Sequence, residues 1–427
     1  MVKGRIEALA CGAILAGYLG LVVVPASRNP NTNGFAAYYT ASRTLLESPG
    51  DLARVEDERW FQARIDQLGF NHVLDIFSGQ PPTASLTLGP LAWLAPSRAR
   101  MIWVWLSVLG WWGGLAVLAG ALGLTSAPAR TSPVVLLGAL SCAFVPIAEN
   151  LHQGQLYLLM FLLLCVHFAL MIEGGKAARL KAGVPLGLLL ILKAAGGWLL
   201  LLLLLCRQWR TVLAAIVTAV AVGLGSLPFI GVGAWRSFLH DLPPLISDPV
   251  QHISTYQTVA SLMGHLLVGD PQWNPLPIAH HPWVAFALAA MVTMWAAAVS
   301  VRRQRLQEGD RGVRALSLAM FGALVVSLAP LAESYHYVLI LPAVIVAWWW
   351  AVTMHAAFGP RVVLAVATLL VNVPHTVYDL PALQRRWWAL LAYPRLYGAF
   401  VLWAWLLRAL ERERSDYGTA AIRHSAV

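Results

Sequence analysis

Apolar and polar positions fall in long blocks along the chain rather than alternating residue by residue. The run from about Ala8 to Val24 is long enough to cross a bilayer. A polar stretch from Pro25 to Gln80, rich in Asn, Asp, Glu and Arg, follows it. Beyond it the chain is apolar almost to its end. The segments Pro81–Ala95, Met101–Leu124, Pro133–Ala148, Leu156–Ile172, Ala182–Cys206 and Val212–Ile230 come first. After a second loop, Gly231 to His281, come Trp283–Val301, Ala315–Leu331, Tyr337–His355, Val362–Val373 and Leu396–Leu410. The pattern predicts an all-α polytopic membrane protein with about twelve spans. Continuous runs exclude a β-barrel, whose strands alternate. Making Pro81–Ala95 and Ala182–Cys206 re-entrant, with Lys193-Ala194-Ala195-Gly196-Gly197 as the break, leaves about ten spans. One integral membrane domain over 1–427 is expected, with loops at 27–80 and 231–281.

Charge orients this pattern. Lys3 and Arg5 before the first run put the N-terminus inside, and the loop after it outside. That run is read as a retained anchor, because Val24-Pro25-Ala26-Ser27 is a poor cleavage site. From Ser27 to Gln80 there are five Arg, no Lys and seven acids. Arg98 and Arg100 favour a cytoplasmic turn, as do Arg207/Arg210, Arg302/Arg303/Arg305, Arg311/Arg314 and Arg408/Arg412/Arg414 at later segment ends. Lys176, Arg179 and Lys181 do not fit the twelve-span arrangement. The chain is 59% hydrophobic and 12% charged, with a mean hydropathy of +0.66, which excludes an ordinary soluble domain. Its net charge of +10 is spread over segment ends and does not point to nucleic acid. Cys11, Cys142, Cys165 and Cys206 form no C-x-x-C pair and read as small buried hydrophobes.

Candidate chemistry sits where polar residues interrupt the apolar pattern. Phe35, Tyr38, Tyr39, Ser42, Leu45 and Leu46 form one face of a helix in the first loop. It either lies on the membrane, aromatic side down, or packs against the other loops. A second helix is predicted through Trp60, Phe61, Ile65 and Leu68. Asp75 precedes Pro81-Pro82, which should start a membrane helix and hold the carboxylate near the surface as a general base or a solvated loop acid. His152-Gln153-Gly154-Gln155 separates two spans. Lys193 in an apolar run must snorkel, pair or meet an anion such as a phosphate. Glu333-Ser334-Tyr335-His336-Tyr337 puts a histidine between two apolar runs, either packed or functional. No P-loop, G-x-G-x-x-G, H-E-x-x-H or G-x-S-x-G occurs in a supporting context, which argues against soluble nucleotide chemistry.

Taken in order, these elements resemble glycosyltransferase family 87, a branch of the GT-C superfamily. Phe35-x-x-Tyr38-Tyr39 resembles the family's Asp-Phe-x-x-Tyr element. Pro81-Pro82 with Gly89-Pro90-Leu91-Ala92 resembles its Tyr-Pro-Pro and Pro-Leu-Ala elements. Gly154-Gln155-Leu156-Tyr157, Lys193 with Arg207-Gln208-Trp209-Arg210, and Ser334-Tyr335-His336 resemble three more. The resemblance runs from about Asn31 to Pro342. It implies a membrane enzyme of a bacterial plasma membrane, multi-pass, with its active site outside. Such an enzyme moves a sugar, typically mannose, from a polyprenyl-phosphate donor to a glycolipid or glycan hydroxyl. An acid in the first outer loop is the expected base, inversion the expected outcome, and neither metal nor cofactor is required. The family's Asp before Phe is Gly34 here, and Gly196 stands where a proline is expected. Asp75 is therefore the candidate base, with His336 to orient it. Asn33, Tyr38, Tyr39, Gln155, Lys193, Glu333 and Tyr335 are the substrate-binding candidates. A transporter or flippase of a lipid-linked substrate is the competing reading. It needs ionisable groups along a path, and the apolar segments carry few besides Lys193. A non-catalytic scaffold is a third reading, favoured only by the missing Asp.

Overall fold

The computed structural model describes residues 2–126, 131–246, 248–307, 309–330 and 332–425. Leu331, the expected end of one span, and the side chains of Lys3, Arg5 and Arg414 lie outside the described residues. The helices in chain order are α1 (Val2–Tyr18), α2 (Val24–Arg28), α3 (Phe35–Glu47), α4 (Glu58–Gln67), α5 (Pro96–Ala121), α6 (Pro133–Ser141) and α7 (Val145–Gln153). Then come α8 (Tyr157–Glu173), α9 (Gly175–Lys193), α10 (Gly197–Leu205), α11 (Trp209–Ile246), α12 (Val259–Leu267) and α13 (Pro282–Arg303). The last are α14 (Arg311–Leu324), α15 (Leu341–Thr353), α16 (Phe358–Val371), α17 (His375–Tyr378) and α18 (Pro394–Ser425). Among the described residues no strand forms; Tyr256–Glu333 and Asp270–Asn274 are isolated bridges.

Among the described residues five helical segments are long and apolar enough to cross a membrane: Ile6–Arg28, Pro96–Ala121, Trp209–Ile246, Pro282–Arg303 and Ser334–Thr353. Two bent pairs, Pro133–Ser141 with Val145–Gln153 and Arg386–Ala392 with Pro394–Glu413, bring the number to as many as seven. That is fewer than the twelve or ten spans the sequence pattern predicts; Tyr157–Glu173 and Phe358–Val371 are apolar but shorter helices. Pro81–Ala95 is not a helix but two 3-10 turns, Pro82–Leu86 and Gly89–Leu91. Pro81, Pro82 and Pro90 lack the N–H groups a helix would use there. The Ala182–Cys206 run breaks after Lys193, where Ala194 has a φ of 54°, so α9 ends and α10 starts afresh. Gly231, the expected start of the second loop, has non-helical backbone inside α11. Between α1 and α2 a π-turn over Leu19–Val23 accommodates Pro25, which cannot donate to the helical ladder.

The contacts separate two compact units: Met1–His167, Leu180–Gly197 and Thr211–Asp248 form one, and Phe168–Arg179, Trp198–Arg210 and Pro249–Val427 the other. In the first unit α3 is enclosed by protein. Every residue from Phe35 to Ser42 is buried, and the rings of Phe35, Tyr38 and Tyr39 pack edge-on or tilted against Phe70, Phe77 and one another. The aromatic face is thus a core face and does not rest on lipid. α4 forms where expected and buries Phe61 and Ile65; Asp57 caps it by accepting from the Arg59 and Trp60 N–H groups. In the second unit α14 is buried along nearly its whole length. Arg314 on it donates to the Ile172 carbonyl at 2.7 Å and 2.9 Å, satisfying the open end of α8.

Candidate active site

The first unit gathers four of the candidate residues through Gly34. Its backbone (φ 88°, ψ −62°) begins α3 in a conformation that a side chain resists. A Cβ there would stand 2.5 Å from Gln155 Nε2 and 3.0 Å from the Gln153 carbonyl. An aspartate at this position would have no room. The Asp75 carboxylate lies at this helix start: its Oδ2 accepts from the Gly34 N–H at 2.5 Å and the Ala37 N–H at 2.9 Å. Oδ1 accepts from the Ile76 N–H at 3.1 Å. Asp75 therefore sits on the open N–H groups of α3, where the helix dipole favours negative charge. Gln62 accepts from the Asp75 N–H at 3.4 Å, tying α4 to the same loop.

Gln155 is buried and accepts from the Tyr38 hydroxyl at 3.4 Å. Its place is fixed by the end of α7. Gly154 is left-handed there, ending the helix in the usual way. Arg100 donates to the carbonyls of Ala26, Leu151 and His152 at 2.9 Å, 2.7 Å and 2.7 Å. Trp103 Nε1 donates to Gly154. Arg100 is fully buried and bonds Ala26, at the end of the first run that the charge pattern puts outside, so it does not mark the cytoplasmic turn expected there. The unsatisfied helix carbonyls attract it inward. Lys193 Nζ lies 5.4 Å from the Tyr38 ring and 5.7 Å from the Tyr157 ring, within cation–π range of both. Asp75, Tyr38, Gln155 and Lys193 thus form one continuous cluster. Asn33 is exposed beside it. Tyr39 faces elsewhere: its hydroxyl donates to the Leu94 carbonyl at 2.7 Å, and burial raises its pKa.

Glu333, Tyr335 and His336 belong to the second unit. Tyr335 donates to Glu333 Oε1 at 2.8 Å, and its ring stacks on His336 with centroids 4.6 Å apart. His336 Nδ1 lies 3.2 Å from the Glu333 carbonyl. The turn is held from behind. Arg395, with no exposed surface, donates to the Ser334 carbonyl at 2.6 Å. Tyr337 donates to the Gln257 carbonyl at 2.5 Å, and Gln257 Oε1 accepts from the Arg395 N–H at 3.1 Å.

Sequence reading passed over Gly34 as a structural necessity, Arg395 and Glu56. An arginine at the very start of an apolar segment was the available signal for Arg395. Glu56, in the first loop, has its pKa pushed up to about 7 by burial first and then by Asp241, against a hydrogen bond from the Gly79 backbone. Among the described residues no three His, Cys, Asp or Glu side chains converge as a metal site would require.

The described residues form a nearly all-helical frame with apolar helices long enough to cross a membrane. The profile of glycosyltransferase family 87 matches residues 80–328, more than half of the chain. The chain belongs to this family and is a membrane glycosyltransferase. The match includes Gln155 and Lys193 and leaves Asn33, Tyr38, Tyr39, Asp75 and Glu333–His336 outside it. No curated protein and no solved structure matches the chain significantly.

Proposed function

We propose that this glycosyltransferase takes a sugar, mannose in the first instance, from a polyprenyl-phosphate donor. The acceptor is a glycolipid or glycan hydroxyl on the outer side of a bacterial plasma membrane. The observation that carries the reading is the seat of Asp75 at the α3 N-terminus, in one cluster with Tyr38, Gln155 and Lys193. The acceptor hydroxyl gives its proton to the Asp75 carboxylate as its oxygen attacks the anomeric carbon. The bond from that carbon to the phosphate oxygen breaks, and polyprenyl phosphate leaves with the bonding pair. Attack opposite the leaving group inverts the anomeric centre. Lys193 holds the phosphate by charge-assisted hydrogen bonds. Asn33 and Gln155 serve the sugar hydroxyls.

An apolar groove of about 380 Å³ supports a prenyl donor. Leu86, Val222, Gly225, Ser226 and Phe229 line it. The turn that carries Leu86 is tied to the end of α9 by the hydrogen bond from Thr83 to the Ile191 carbonyl, two residues before Lys193. A phosphate at Lys193 and a prenyl tail in the groove would lie on neighbouring segments of one unit. The test is incubation of the purified protein with radiolabelled polyprenyl-phosphate mannose and a native lipid extract. Label entering a new lipid or glycan species is expected. Movement of intact donor across sealed vesicles with no new product would replace transfer by transport.

A further inference from the structure

In the second unit two neighbouring tryptophans stand outside every cluster described so far. The 3-10 turn Arg386–Ala392 presents Trp387 and Trp388 outward, 68% and 62% exposed, with Leu391 beside them at 60%. Ala389 and Ala392 on the same turn are buried. The turn is held from within. The Arg386 N–H donates to the Leu276 carbonyl at 2.9 Å, and Gln257 Nε2 donates to the Ala392 carbonyl at 2.7 Å. The indoles therefore project from a pinned backbone. An exposed apolar face of this kind marks a surface with a partner.

Two helices of the same unit fix the level of this turn. α13 and α18 run parallel. Trp295 packs against Trp403 with ring centroids 5.2 Å apart, and eight residues further along both helices Arg303 meets Glu411 at 2.7 Å. Followed back in the same register, Pro282 at the start of α13 comes level with Leu390 in the turn. Trp283, 85% exposed, thus stands at the height of Trp387 and Trp388.

The other end of the helix pair is charged: Arg302, Arg303, Arg408, Glu411 and Arg412 are all exposed there. Between the two ends α13 has 22 residues, about 33 Å at the helical rise. A bilayer's hydrocarbon core is about 30 Å thick. The tryptophans therefore lie one core thickness from the charged collar. The turn is bent by 56° from α18, so it does not continue the span and leans toward the membrane plane. Arg385 and Arg386, both exposed, stand at its start.

We propose that the Arg386–Ala392 turn is an interfacial foot that docks on the phospholipid surface around the protein. Trp387, Trp388 and Leu391 seat at the boundary between headgroups and acyl chains. Arg385 and Arg386 bond lipid phosphates. Tryptophan suits that depth, because its ring is apolar while its N–H reaches the wet side. A guanidinium binds phosphate through two parallel hydrogen bonds. The occupant is the bilayer rather than a second copy of the chain, because the turn sits one hydrocarbon thickness from the charged end of the same two helices.

The test is nitroxide accessibility on the full chain in phosphatidylcholine nanodiscs. Spin labels are placed on Trp388→Cys and, separately, on Leu391→Cys, with a nitroxide free in buffer as the reference for water. The wild type, whose four cysteines are buried or half-buried, gives the background. Oxygen concentrates in lipid and a neutral nickel chelate stays in water. The ratio of oxygen to nickel collisions should be several-fold higher at both positions than in buffer. Arg385→Glu with Arg386→Glu sets carboxylates against the lipid phosphates and should raise nickel collisions at the Leu391→Cys label several-fold. A collision ratio equal to that in buffer would show a turn standing in water and overturn the proposal. Low collision with both reagents would show protein on the turn, a second copy if the labels also couple magnetically, and would overturn it too. An unchanged Leu391→Cys label in the double charge reversal would overturn the phosphate contacts. The measurement reads the membrane alone, so its outcome is independent of the transfer chemistry.

Discussion

Gly34 has a positive φ of 88° and no space for a Cβ, and those facts explain the departure from the family's Asp-Phe pattern. The Asp75 carboxylate returns through space to the same helix end. In the sequence the two are far apart, and only folding of the loop joins them. That is why the absent acid was legible and its replacement was a choice among several loop acids. Gly34→Ala should cost about 1–3 kcal/mol of stability and displace Gln155. Thermal unfolding in detergent would read the loss, and an unchanged midpoint would show that the α3 start yields easily. Glu56 was not legible, because its character comes from burial and from Asp241 rather than from its neighbours in sequence. Its pKa is raised from 4.5 to about 7. The folded state then binds a proton that the unfolded chain has lost, so the stability from this group is present below pH 4.5 and disappears as pH rises through about 7. Glu56→Gln should therefore flatten the fall in melting temperature between those limits and stabilise the protein above pH 7. Parallel melting curves for the two proteins would contradict this.

Helices declared themselves through apolar runs, and breaks through the residues that cannot continue a helix. The interruption after Lys193 was visible as charged and glycine-rich punctuation in apolar sequence, whereas at Gly231 the helix only breaks and then runs on to Ile246. The first-loop helices were visible from their spacing. What surrounds them was not: the aromatic face of α3 suits lipid or protein equally, and only the rings of Phe70 and Phe77, supplied later in the chain, decide for protein. The Pro81–Ala95 segment misled because hydropathy records apolarity and ignores missing N–H donors. Lys193 ends α9 with its ammonium over two tyrosine rings. If it also binds the donor phosphate, Lys193→Met should raise the donor KM at least ten-fold and leave the acceptor KM nearly unchanged. Steady-state kinetics with each substrate varied in turn would measure this. An unchanged donor KM in a folded variant would leave Lys193 as a capping residue of the helix break.

At the scale of the whole molecule the chain is a membrane glycosyltransferase. An outward-facing first loop is the expectation drawn from Lys3 and Arg5 and from the acidic balance of that loop. A cysteine in place of Ser48, which is exposed, should react with an impermeant thiol reagent in intact cells. Labelling only after lysis would reverse the topology and move the reaction to the cytoplasmic side. The claim on which the rest depends is that Asp75 takes the acceptor's proton. Asp75→Asn tests it most directly, since an amide oxygen can still accept from Gly34 and Ala37 and keep the start of α3, while it cannot serve as a base. Turnover of labelled polyprenyl-phosphate mannose should fall about a hundred- to ten-thousand-fold, with donor and acceptor binding retained. Turnover within a few-fold of wild type would contradict the assignment and pass the role to another acid of the outer loops, with Asp51, Asp66 and Glu333 next.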